Sequence, residues 1–83
     1  PPFPNPFNPR TKITFFISNS IKDGLIKIYN SSGQQVKTLH CGLLSSGSHT
    51  FHWEPKNNLA SGIYFFVIHE PYSTQSQKLL YLK

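Results

Sequence analysis

The sequence predicts an all-β fold, a small antiparallel sandwich, and three observations carry that expectation. Apolar or alternating segments recur every ~8–12 residues with Gly, Pro, Asn or Ser between them, the spacing of strands and turns. No stretch of helical period reaches the ~10–12 residues that a helix needs. The composition is rich in rings and poor in charge, with seven Phe, four Tyr and one Trp against eight Lys/Arg and three Asp/Glu in 83 residues. A chain of this length is one domain. It buries only about 60–65% of its unfolded surface, so aromatic burial of ~150–250 Å² per ring has to carry much of its stability.

Residues Pro1–Arg10 read as a lead-in and residues 11–83 as the sandwich. Pro4, Pro6 and Pro9 remove three backbone donors and pin φ near −65°, which excludes helix and central strand. Asn5 and Asn8 each precede a proline and are pushed into extended or turn geometry, with Phe7 between them as an apolar plug. Thr11–Ser18 alternates, with Ile13, Phe15 and Ile17 on one face, and predicts the first strand. Asn19–Gly24 reads as a loop. Leu25–Asn30 predicts a second strand with Ile26 and Ile28 opposite Lys27 and Tyr29. Asn30-Ser31-Ser32-Gly33 then reads as a hairpin turn with Gly33 at a position needing positive φ, and Gln34–Leu39 as the third strand.

His40–Gly47 is the least regular segment, with Leu43 and Leu44 tucked under the sandwich edge. Ser48–Trp53 predicts a fourth strand that places His49, Phe51 and Trp53 on one face, and Glu54–Asn58 breaks it. Gly62–His69 is apolar on both faces, which predicts a strand at the centre of its sheet. Glu70–Thr74 reads as a turn and Gln75–Leu82 as the last strand.

The function classes narrow from the same residues. The formal net charge of +5 comes from single basic residues scattered over strands and loops, so no basic run points to nucleic acid. Cys41 is the one cysteine, which excludes an internal disulfide and leaves stability to packing or oligomerisation. Nothing resembles a signal peptide, and no apolar run approaches the ~18 residues of a membrane span. The chain starts inside a Pro-rich stretch, the expectation for a piece of a larger protein. Cys41 beside His40 is no nucleophile pair if both lie in one strand, and no oxyanion environment or positioning acid accompanies them. Asp23, Glu54 and Glu70 are far apart, so no carboxylate pair is expected. His49 and His52, three apart in a strand, face opposite sides and suit no shared metal. No enzyme, cofactor or metal is expected. The Asn30-Ser31-Ser32 sequon is accounted for by the hairpin. Phe65, Phe66, Tyr64, Tyr72 and Tyr81 could form a sugar-stacking platform, but core packing explains most of them.

Five ordered segments resemble one kind of domain. They are Pro4-Asn5-Pro6-Phe7-Asn8-Pro9 with the Thr11–Phe15 strand, Ile28–Val36 around its Asn-Ser-Ser-Gly turn, Ser46–Trp53, Leu59–Phe65 with its Ala-Ser-Gly-Ile-Tyr-Phe run, and Lys78–Lys83 bracketed by lysines. This order resembles the C-terminal sorting domains of the bacterial type IX (Por) secretion system. It is also similar to the immunoglobulin-like domain of flagellar hook-capping proteins. The resemblance implies an immunoglobulin-like antiparallel β-sandwich of about six to seven strands. It further implies a non-catalytic sorting module, covalently part of a larger cargo protein. An outer-membrane translocon would recognise such a module and a sortase-like peptidase would remove it, at the surface of a Gram-negative bacterium or in the medium. The landmarks it carries over as recognition residues are Pro4, Asn5, Pro6, Gly62, Tyr64, Lys78 and Lys83. Two other readings stay open: a structural assembly module of the hook-cap type, and a carbohydrate-binding or spacer module of a secreted hydrolase. The chain departs from the sorting-domain style at Glu54-Pro55-Lys56-Asn57-Asn58, where an acidic, glycine-containing loop is usual, and at Cys41, in place of a polar turn.

Overall fold

Thr11–Ile17 forms strand β1 because its alternation gives the sandwich one face of buried Ile13, Phe15 and Ile17 and one of exposed Lys12, Thr14 and Phe16. The computed structural model describes residues 11–55 and 59–82. Five more strands follow: β2 (Ile21–Asn30), β3 (Gln35–Leu44), β4 (Gly47–Trp53), β5 (Gly62–His69) and β6 (Thr74–Tyr81). The described residues contain six strands and no helix, as the spacing of apolar segments and turns predicts. Every pairing is antiparallel. β1 pairs with β4 in a two-stranded sheet, and the other four form a sheet in the order β3-β2-β5-β6. β5 sits between β2 and β6, where its doubly apolar pattern places it.

The two sheets share one core. Ile13, Ile17, Ile26, Ile28 and Phe66 are at most 1% exposed, and Trp53 is 2% exposed. Two aromatic groups fill it. Phe15 lies against Phe51 and Phe66 at ring-centre distances of 5.6 and 5.4 Å. Trp53, Tyr64 and Tyr81 form a second group, with Trp53 at 5.2 Å from Tyr64 and 6.0 Å from Tyr81. Rings at such spacings gain contact beyond their simple burial.

The hairpin turn forms as expected. Gly33 has φ 85° and donates its N–H to the Asn30 carbonyl at 3.0 Å. The Asn30 carboxamide oxygen accepts from the N–H groups of Ser32 and Gln34, at 3.0 and 2.9 Å. That side chain imitates a backbone turn and fixes the β2–β3 register.

Three expectations need correction. The Asn19–Gly24 loop is shorter than its composition suggests, because β2 already starts at Ile21. Ile21 is core, the register with β3 shifts between Ile21 and Gly24, and Lys22 and Asp23 are both exposed across that irregularity. A bulge of this kind hides the period-2 signal while keeping the pairing. For the same reason β3 does not stop at Leu39 but runs to Leu44. Of the two leucines expected under the edge, Leu44 is core at 1% exposure, whereas Leu43 stands out at 65%. Pro4, Asn5, Pro6 and Lys83, with the rest of the lead-in, lie outside the described residues.

Candidate functional site

The sequence landmarks that are described converge on the β5–β6 hairpin. In its register Gly62 faces Tyr81, Ile63 faces Leu80, Tyr64 faces Leu79 and Phe65 faces Lys78. Gly62 opens β5 at φ 154°, in a region side chains rarely adopt, so the residue type follows from the backbone. Tyr64 is 5% exposed, and its hydroxyl donates to the Ala60 carbonyl at 2.6 Å. A tyrosine that ties its own strand back to the chain a few residues upstream resembles the tyrosine corner of immunoglobulin-like sandwiches. Lys78 points outward, on the opposite face of β6 from the buried Leu79 and Tyr81. The hairpin thus brings Gly62, Tyr64 and Lys78 together, with Tyr64 acting from the core and Lys78 from the surface. Removing the tyrosine hydroxyl leaves the ring in place but strands the Ala60 carbonyl. Tyr64→Phe should cost about 0.5–1.5 kcal/mol of stability with unchanged secondary structure, read by urea unfolding.

The seam between β6 and β1 is closed by side chains. Gln75 and Gln77 donate their amide hydrogens to the carbonyls of Phe16 at 3.3 Å and Thr14 at 3.1 Å. In an antiparallel pair alternate residues aim their backbone groups away from the partner strand. Thr14 and Phe16 are two apart on β1, and the two glutamines cover carbonyls that β4 does not use. Gln75 also donates to a Glu70 carboxylate oxygen at 3.1 Å, which fixes the β5–β6 turn. These glutamines carried no signal in the sequence, because a polar residue facing a sandwich seam looks like one facing water. Gln75→Ala with Gln77→Ala should lower stability by roughly 0.5–1 kcal/mol and speed amide exchange in β1 first, measured by hydrogen exchange.

No group of three or more His, Cys, Asp or Glu that could hold a metal ion occurs among the described residues. Each of three histidines is engaged locally. His49 donates through Nε2 to the Ser45 carbonyl at 2.6 Å and stacks on Phe15. His40 donates through Nε2 to the Leu43 carbonyl at 2.9 Å and meets Phe51 edge-on. His69 shares a hydrogen bond with the Tyr29 hydroxyl at 3.1 Å. Cys41 is exposed, on the opposite side of β3 from the half-buried His40 ring, as neighbours in a strand must be.

The aromatic platform for sugar stacking is not assembled. Tyr64, Phe66 and Tyr81 are core residues, and Tyr72 alone is fully exposed, in the β5–β6 turn. Beside Tyr72 an open groove of about 300 Å³ runs between Ser18–Lys22 and Glu70–Ser73. A smaller depression of about 170 Å³ lies between the Asn30 turn and Ala60–Tyr64, below the usual size of a small-molecule site.

The surface is instead distinguished by its sheets. β3, β6 and both strands of the smaller sheet are sheet-edge strands, and the larger sheet carries apolar side chains on its outer face. With that geometry stands one comparison: the family model of the FlgD Ig-like domain matches residues 6–73. The chain belongs to the FlgD Ig-like domain family. No curated protein and no solved structure gives a match. The FlgD Ig-like assignment agrees with the two-sheet antiparallel sandwich and with the Tyr64 corner, and it corresponds to the hook-capping half of the resemblance carried by the sequence. The family match ends at Ser73, so Lys78 and the rest of β6 lie beyond it.

Proposed function

We propose that this domain is a non-catalytic, immunoglobulin-like assembly module of the hook-cap type, serving a larger parent protein through protein–protein contact. The observation that carries this reading is the FlgD Ig-like match over residues 6–73. The surface supports it, because its distinguishing features are sheet edges and an apolar sheet face, which suit flat contacts between proteins. The test is cross-linking in cells of the tagged parent with and without residues 11–82. Neighbours lost only on deletion are expected, and an unchanged set of neighbours overturns the reading.

A second reading, the type IX sorting module, is favoured by one feature outside the family match. Lys78 and the described residues after it lie on or just past β6, beyond the Gln75 and Gln77 contacts that tie that edge strand to β1, where a reader could add a strand or engage lysines. Its partners would be the outer-membrane translocon and a sortase-like peptidase, and its destination the cell surface or medium. A fluorescent reporter fused ahead of Pro1 separates the two readings. Export only from cells with a working type IX system assigns sorting, and equal retention of a folded fusion in cells with and without the system leaves the assembly module.

A further inference from the structure

An antiparallel sheet that faces water on one side alternates apolar and polar residues. β5 does not: Tyr64, Phe66 and Ile68 point into the core, while Ile63, Phe65 and Val67 point out. On the outer face the register sets Ile63 opposite Leu80 and Phe65 opposite Tyr29. Ile63 is 41% exposed, Leu80 55% and Leu82 39%. These residues form a contiguous apolar patch across β2, β5 and β6 at the Ile63–Leu80 end of the sheet. Tyr29 is held by its hydroxyl bond to His69, which spans Val67 in the register, so part of the surface is already ordered.

The charges set beside this patch by the register have one sign. Lys78 stands opposite Phe65 and Lys27 opposite Val67. The chain has three carboxylates. Asp23 lies beyond Leu25 at the far end of β2, Glu70 follows His69 in the turn, and Glu54 follows β4 in the other sheet. A second copy is therefore a poor occupant, since face-to-face pairing sets lysines against lysines on chains of net charge +5.

We propose that the outer face of the larger sheet, at its Ile63–Leu80 end, docks a partner protein whose contacting surface is apolar and rimmed with carboxylates. The proposal rests on the assembly reading and specifies its contact surface. Apolar area supplies the affinity, while Lys27 and Lys78 select an acidic partner and speed the encounter.

The test uses the full 83-residue chain, isotope-labelled, and two synthetic amphipathic helical peptides. They share one Leu/Phe stripe, flanked by Glu in the first and by Lys in the second. The Glu peptide should shift the amides of Tyr29, Ile63, Phe65, Lys78 and Leu80 in a nuclear magnetic resonance titration. It should bind at least ~10-fold more tightly than the Lys peptide, a gap that narrows in high salt. Ile63→Ser with Leu80→Ser should abolish that binding without changing the melting temperature by more than a few degrees. Lys27→Glu with Lys78→Glu should reverse the preference and favour the Lys peptide. Equal affinity for the two peptides, shifts confined to β3 or β4, or no binding of either overturns the proposal. The in-cell cross-linking reports separately. Neighbours lost on deleting the domain, with no Glu-peptide binding, retain the assembly role and reject this surface. Glu-peptide binding with unchanged neighbours does the reverse.

Discussion

Trp53→Ala should be heavily destabilising, at a cost of about 3–5 kcal/mol. Trp53 is 2% exposed, closes the β4 end of the core, and packs on Tyr64 and Tyr81, each of which contributes to the same aromatic group. Truncating a buried Trp costs about 3–5 kcal/mol, from lost transfer energy plus the cavity left behind. At the usual ~0.05–0.15 kcal/mol per residue a chain of 83 residues holds roughly 4–12 kcal/mol in total. The substitution therefore removes from about a quarter to all of it. Trp53→Phe keeps a ring against Tyr64 and should lose about half as much. Circular dichroism melts of the two variants check this, and equal losses would show that the retained phenyl ring contributes nothing and that the indole itself is required at this site. Since Trp53 is the one tryptophan, its fluorescence reports directly on core packing in every other variant.

Gly24→Ala should destabilise by up to about 2.6 kcal/mol, the overpacking of ~1–3 kcal/mol less the ~0.4–1 kcal/mol that a stiffer unfolded chain returns, although it adds one methyl group to a strand. A Cβ at Gly24 would stand 2.5 Å from Leu44 Cδ1, 2.8 Å from its Cγ and 3.1 Å from the Gly42 carbonyl oxygen. Leu44 is 1% exposed, so its side chain can yield only within a closely packed core. Reduced freedom of the unfolded chain favours alanine by about 0.4–1 kcal/mol, less than the expected overpacking. The decisive measurement is a double-mutant cycle with Leu44→Ala. Trimming the leucine makes room, so the double variant should be more stable than the sum of the single losses implies, by ~1 kcal/mol or more. Additive losses would show that Gly24 is needed for some reason other than Leu44.

Gly24 also marks how far the sequence can be read. β1, β4 and β5 were legible because Ile13-x-Phe15-x-Ile17, His49-x-Phe51-x-Trp53 and the Ile63–Ile68 run state their faces in period 2. β2 and β3 were cut short where register shifts interrupt that period, near Ile21–Gly24 and past Leu39. A bulge is a property of two paired strands, and a single strand's residues do not announce it. The apolar outer face had a signal in the Ile63-Tyr64-Phe65-Phe66-Val67-Ile68 run. That run predicts a central strand, which is what β5 is, and the same pattern also leaves Ile63 and its neighbours facing outward. The family likeness was legible through Tyr64 and its Ala-Ser-Gly lead. The glutamine seam was not, since its logic lies between strands about sixty residues apart: 59 for Gln75 with Phe16, 63 for Gln77 with Thr14.

That seam has a mechanical meaning. Among the described residues β1 has one backbone-paired neighbour, β4, and along its other side it is held by two glutamine side chains. As Gln75 meets Phe16 and Gln77 meets Thr14, the two strands run in opposite senses. Tension arriving through the residues before Thr11 would thus load the seam one contact at a time, Thr14 before Phe16, as a zip opens. The β5–β2 pairing, interior to the larger sheet, would still be intact when β1 had let go. Such a domain would yield stepwise, with β1 as the compliant strand and the larger sheet as the stiff remainder.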